Sequence, residues 1–272
     1  MAISLASIKK GGSIKPPIMV IHGPPGVGKT TFAATANSPV IIPTEDGLGL
    51  LKTDAFPVCK NWQSMQEAMG ALFTEKHDYR TVIVDSASAL EPLIWAQVAS
   101  DAGKTNIEDL GFGKGYILAL DYWQQFLSGL IAMRDQQGVL PIVIAHSNVK
   151  RFDSPEVEPY DRYQIKLHDR AFSLLYEQAD IIGFANWQTM TIRDKDPTAM
   201  KAKGGADKVL NVRGIGTGER QLHLVGKPAY IAKNRYSLPE TIPLSWSSFS
   251  DALGVAFAAA EQQPTTKSAK AA

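Results

Sequence analysis

Cysteine is nearly missing from this chain. Cys59 stands alone among 272 residues, which excludes an internal disulfide framework and fits a reducing compartment. No apolar run approaches the roughly 20 residues a membrane helix needs, so the sequence reads as that of a soluble, cytoplasmic protein with no membrane partner. Met1 to Pro17 carries lysines but no continuous apolar stretch, and does not read as a signal peptide. An excess of one charge is also lacking: 28 Lys and Arg face 27 Asp and Glu, for a net charge of +1. The total therefore argues neither for nor against a nucleic-acid partner, and local patches must decide. There is no internal repeat, and no Cys or His cluster with metal-ligand spacing. What the chain has in quantity is apolar material, 44% of its residues, ample for the core of one α/β unit of this length.

The most informative segment is Gly23-Pro24-Pro25-Gly26-Val27-Gly28-Lys29-Thr30, a complete G-x-x-x-x-G-K-[ST] phosphate loop. The apolar run Ile18–Ile21 precedes it, and Thr31-Phe32-Ala33-Ala34 follows as a helix start. That is the strand–loop–helix setting in which the motif has meaning. The glycines let backbone N–H groups turn inward around phosphates. In this reading Gly23 to Thr31 bind ATP, Lys29 reaches the β- and γ-phosphates, and the Thr30 hydroxyl binds Mg²⁺.

Short apolar strands alternate with helical patterns over residues 18–187, which predicts a mainly parallel sheet flanked by helices. The strands are expected at Ile18–His22, Val40–Pro43, Thr81–Asp85, Leu140–Ala145 and Asp180–Ala185. The helices are expected near 30–36, 62–73, 87–100, 115–136 and 164–177, with Gly138 as a stop for the fourth. Farther on, Trp187–Arg193, Val209–Arg213, Gln221–Val225 and Ala229–Lys233 read as short antiparallel strands. Ser245–Ala260 reads as a closing helix. The domain reading is an N-terminal extension over 1–16, an ATPase domain over 17–260 with a mobile polar insert at 194–208, and a disordered tail over 261–272.

Thr81-Val82-Ile83-Val84-Asp85 is an apolar strand ending in a carboxylate. At the C-terminal edge of a parallel sheet Asp85 would lie beside the phosphate loop and hold Mg²⁺ through water. Glu45 ends another strand, at the same edge, where a carboxylate can orient and deprotonate attacking water. Asp46 is adjacent, and the sequence does not separate the two. His146 follows the strand Leu140–Ala145, as either a sensor of the γ-phosphate or an ordinary strand-end histidine.

These parts, in this order, resemble the RecA-type ATPase core. Ala232-Lys233-Asn234-Arg235-Tyr236 resembles the Lys-Asn-Arg motif of RadA and the related Lys-x-Arg of DnaB-type helicases. That resemblance implies that Lys233 and Arg235 reach a neighbouring subunit's γ-phosphate, in a homo-oligomeric ring or filament. More specifically, the chain is similar to phage-encoded RecA-like ATPases of the Sak type. The likeness spans roughly residues 16–243 and includes Gly111–Tyr116, Ile144–Ser147, Lys150–Phe152 and Lys233–Pro239. It implies ATP-dependent binding of single-stranded DNA in recombination or annealing, within the cytoplasm of an infected host, with a single-strand-binding protein as a possible partner.

In RecA-like proteins the loops after the third and fourth strands bind DNA; here they fall at about Gly103–Gly115 and Ser147–Tyr163. The first offers Lys104 and Lys114. The second offers Lys150, Arg151, Phe152 and Arg162, cations mixed with rings as single strands require. Asp153, Glu156, Glu158 and Asp161 offset that charge, so a loop ordered by internal ion pairs is the competing reading. Two rival functions stay open at this level: a nucleotide-gated loader of a recombination partner with little DNA contact, and a phosphate-loop kinase acting on a small molecule.

Overall fold

The computed structural model describes residues 15–195 and 209–261. The strands are β1 (Met19–Gly23), β2 (Pro39–Pro43), β3 (Asp54–Ala55), β4 (Thr81–Asp85), β5 (Leu140–Phe152), β6 (Tyr160–Ile165), β7 (Ile181–Lys195), β8 (Val209–His223), β9 (Lys233–Asn234) and β10 (Thr241–Pro243). The helices are α1 (Lys29–Ala34), α2 (Trp62–Thr74), α3 (Ala87–Asp101), α4 (Lys114–Gln137), α5 (Asp169–Gln178) and α6 (Trp246–Glu261). Along the sheet the order is β3-β2-β4-β5-β1-β7-β8-β10, with β6 paired to β5 and β9 to β7. Strands β3 through β7 in that order run parallel, while β8, β9 and β10 are antiparallel. This is an α/β fold, a mainly parallel sheet flanked by helices with antiparallel strands at one edge.

Period-two alternation divides the apolar residues between two faces. Val20, Ile42, Val82, Val84 and Val143 face α2 to α5. Met19, Ile21, Ile41, Ile83, Ile142 and Ile144 face α1 and α6. Because both faces are covered, β1 and β4 are buried along their whole length and read in sequence as unbroken apolar runs. Helix boundaries follow local chemistry. Asn61 and Ser64 form a capping box at the start of α2. Ser86 caps α3 through the Ala89 N–H, and Gly138 at φ 68 closes α4.

Several expectations need correction. The helix expected over 164–177 begins at Asp169, because Tyr160–Ile165 is a strand paired with Ser147–Phe152. Tyr160, Tyr163 and Ile165 suit a pleated surface, and the His168 ring accepts from the Arg170 N–H to start the helix later. Consequently Ser147–Tyr163 is mostly a β-hairpin rather than a loop, and β5 runs on past Ala145. The segments Asp180–Ala185 and Trp187–Arg193 form one strand, β7, and Val209–Arg213 and Gln221–Val225 belong largely to β8. Their pairing is interrupted only by register shifts between Trp187 and Thr189 and between Asp194 and Lys195. The strand expected at Ala229–Lys233 shrinks to Lys233–Asn234, with an isolated bridge at Tyr230. Asp194 and Lys195 end β7; the rest of the 194–208 insert, residues 1–14 and residues 262–272 lie outside the described residues.

Candidate functional site

Register builds the site. Gly23 on β1 lies beside His146 on β5, Ile144 on β5 lies beside Asp85 on β4, and Asp85 lies beside Pro43 on β2. Four strand ends thus meet at the C-terminal edge of the parallel sheet, the edge where open α/β sheets bind ligands. The cleft there measures about 460 Å³, and its walls include Gly28, Lys29, Thr30, Glu45, Asp85 and His146.

The loop itself turns at Gly26, φ 75, and Gly28, φ 101, conformations that a side chain would strain. Lys29 is 6% exposed, and its Nζ donates to the Gly23 and Pro24 carbonyls at 3.0 Å each. Burial pushes its pKa below the ordinary lysine value, with Asp85 and Glu45 pulling the other way. Thr30 Oγ1 donates to Asp85 Oδ2 at 2.7 Å. Asp85 shares the sheet face of Ile83, which brings it under α1, and it is 8% exposed. Burial raises its carboxyl pKa, the Thr30 bond opposes the shift, and Glu45 adds to it.

Of the two neighbouring carboxylates, Glu45 is the one held in place. Its Oε1 accepts from Ser86 Oγ at 2.7 Å and lies 3.1 Å from His146 Nε2. Ser86 is fixed in turn by Thr44, whose hydroxyl exchanges 2.7 Å bonds with the Ser86 backbone. Asp46 is exposed on the rim of the cleft. The His146 N–H donates to Ser88 Oγ at 3.0 Å, and His146 Nδ1 is buried without a partner. The carbonyl of His146 accepts from Lys166, just beyond β6. One residue before the loop, buried His22 lies 2.8 Å from Ser147 Oγ and 2.9 Å from the Ile231 carbonyl. Desolvation lowers its pKa to about 4, against the pull of the Ile231 carbonyl.

The donor set fits Mg²⁺ better than a transition metal. Among the described residues no group of three or more His, Cys, Asp or Glu is placed to hold a metal. The chain offers one hydroxyl, Thr30, and one buried carboxylate, Asp85. That sparse oxygen set suits an ion that keeps waters and takes its remaining oxygens from phosphates.

The other candidates lie elsewhere. Lys233 and Asn234 pair with Ile182 and Ile181, at the opposite end of β7 from the cleft. Lys233 Nζ donates to the Tyr176 carbonyl at 2.6 Å and sits 5.0 Å from the Tyr176 ring centroid. Arg235 binds Asp180 and the Glu177 carbonyl, both at 3.1 Å. Both cations thus hold the C-terminal end of α5, away from their own chain's phosphate loop. In the hairpin, Phe152 pairs with Tyr160 and Lys150 with Arg162, which puts two rings and two cations on one face. Each cation has a partner within the chain: Lys150 pairs with Asp169, Arg151 with Asp153, and Arg162 lies 3.7 Å over the Phe152 ring. Lys114 begins α4, and Lys104 sits past the end of α3. Between them Phe112 is fully exposed at φ 48, flanked by Gly111 and Gly113. Tyr116 on α4 stacks on His168 at 4.3 Å, which ties this turn to the base of the hairpin.

Sequence reasoning did not single out Ser86, Thr44 and Ser88 for the second layer of contacts, nor the contact of the Arg220 guanidinium with Gly28. Ser86 and Thr44 each adjoin a residue already singled out, which was the available signal. The approach of Arg220 across the sheet left none.

No curated protein matches the sequence. Among solved structures, one titled "Crystal structure of the RadB recombinase" overlaps with a TM-score of 0.40 at 16% identity, covering 65% of this chain and 78% of that one. So loose an overlap transfers no activity. Residues 15–236 match the family described as AAA domain, and with its phosphate loop, edge carboxylates and sheet order already in place, the chain belongs to that family.

Proposed function

We propose that this protein is a Mg²⁺-dependent ATPase of the RecA-like, Sak type, which assembles on single-stranded DNA and serves phage recombination or annealing. The observation that carries the nucleotide part is the Thr30 hydroxyl on buried Asp85 at 2.7 Å, beside a Glu45 carboxylate held by Ser86 and His146. Thr30 and Asp85 would hold Mg²⁺, which supplies charge neutralisation to the phosphates. Lys29 exchanges the Gly23 and Pro24 carbonyls for phosphate oxygens and stabilises the charge that develops there. Glu45 orients a water and takes its proton. His146, bonded to the same Glu45 oxygen, passes changes there to Lys166 and the hairpin through its own backbone.

The DNA part is supported by the fully exposed Phe112 and by the face built from Phe152, Tyr160, Lys150 and Arg162. Lys233 and Arg235 are proposed to act on a neighbour's nucleotide, since they lie far from their own. Fluorescence anisotropy of labelled single-stranded DNA tests the reading. Binding that needs ATP and weakens steeply with salt supports it; no binding at low salt contradicts it.

One observation favours a second reading. The hairpin cations are engaged within the chain, as suits a nucleotide-gated loader that meets a protein partner, such as a single-strand-binding protein. Capture of that partner that requires ATP and survives nuclease would favour the loader.

A further inference from the structure

Beside the phosphate cleft lies a second hollow, of about 420 Å³, which shares Gly28 and Thr31 with it as common walls. Its remaining walls include Thr35 at the end of α1, Arg220 on β8, and Trp246 and Ser247 at the start of α6. Trp246 is anchored from behind: its ring meets Phe32 at 5.7 Å and Phe249 at 5.5 Å, while part of it stays accessible. Arg220 stands at the junction of the two hollows. Its Nη1 lies 2.5 Å from where a Cβ on Gly28 would be, so the guanidinium rests on the loop backbone. The Leu244 N–H, two residues before Trp246, donates to the Arg220 carbonyl at 2.9 Å, which holds the two walls together.

The order of groups along the loop gives the pair of hollows a direction. Glu45, Asp85 and His146 crowd the first, and mark the end where the terminal phosphate reacts. A triphosphate seated on Lys29 and Thr30 must leave the loop at its other end, past Gly28 and Thr31, which open into the second hollow. We propose that this hollow receives the nucleoside, with the base packed on the exposed part of Trp246 and Arg220 over the phosphate nearest the ribose. The proposal rests on the phosphate-loop reading, and adds a site that the loop motif does not specify.

Calorimetry of the full chain with Mg-ATP and with Mg-tripolyphosphate tests it, because the second ligand has phosphates and no nucleoside. Wild type is expected to bind ATP at least about tenfold more tightly. Trp246→Leu should lose about that factor for ATP and change tripolyphosphate by less than twofold. Ser247→Tyr, which fills the hollow from an exposed position and spares the packing behind Trp246, should do the same. Arg220→Gln should weaken both ligands severalfold. Equal affinity of wild type for the two ligands, or Ser247→Tyr and Trp246→Leu variants that bind ATP as wild type does, would overturn the nucleoside site and leave the phosphate loop standing. A wild type that binds neither ligand overturns the phosphate-loop reading itself.

Discussion

At the scale of single residues, the cleft separates groups that the sequence places side by side. Glu45 and Asp46 are adjacent carboxylates, yet only Glu45 is held by Ser86 and His146. Glu45→Gln is expected to bind ATP normally and to hydrolyse it about 10²–10⁴-fold more slowly, the range for loss of a positioned base. Asp46→Asn should stay within about twofold of wild type, since an exposed surface group contributes little. Steady-state turnover alongside nucleotide binding checks both. His22 gives a pH signature. Its folded pKa of about 4 lies below the ordinary 6.5, so the unfolded chain takes up a proton that the folded chain refuses. Its contribution is present above pH 6.5 and is lost as pH falls through 4, a change of about 3 kcal/mol. Denaturant melts of wild type and His22→Gln across that window should converge as pH falls.

The legibility of the site follows from sequence distance. The phosphate loop is a local motif whose strand, turn and helix lie in one short stretch, so it could be read whole. Asp85 could be placed because a buried parallel strand ends in one charge. The hydroxyls of Ser86 and Thr44 gave no such contrast, because small polar residues at strand ends are common. Arg220 reaches Gly28 from a strand on the far side of β7, a contact that no periodicity announces.

At the scale of elements, the parallel strands and most helices were legible because covering both faces forces unbroken apolar runs on β1 and β4. The antiparallel half was not. Tyr160–Tyr163 reads as loop and Gln164–Ile165 as the start of a helix because their pairing with Ser147–Phe152 depends on long-range contact. The strands of the β7–β8 arm read as divided at polar residues and glycines that the sheet carries through, with a register shift between Trp187 and Thr189. Helix α3 carries a separate prediction. Glu91 is 6% exposed, accepts the His168 N–H at the start of α5, and burial raises its pKa to about 7 from 4.5. A carboxyl whose folded pKa is raised stabilises fully below 4.5 and loses that contribution as pH rises through 7. Glu91→Gln, neutral at every pH, should therefore be more stable than wild type at pH 8 by about 2–3 kcal/mol. Thermal melts at pH 5 and pH 8 check the sign: the advantage should shrink at the lower pH.

At the scale of the whole molecule, the phosphate loop and the Lys233–Arg235 pair occupy opposite ends of the parallel strands. If they serve one reaction, they do so between copies. Lys29→Ala and Arg235→Ala should each be inactive alone, while a mixture recovers turnover, because some junctions then combine an intact loop with an intact Arg235. A mixture as inactive as its parts would confine Lys233 and Arg235 to holding the end of α5. The most direct test of the account is Mg²⁺-dependent ATP turnover by wild type and Lys29→Ala, with and without single-stranded DNA. Wild type is expected to show turnover that DNA stimulates, and the variant at least about 10²-fold less. Turnover that Lys29→Ala leaves intact, or a wild type that hydrolyses no ATP with DNA present, would contradict it.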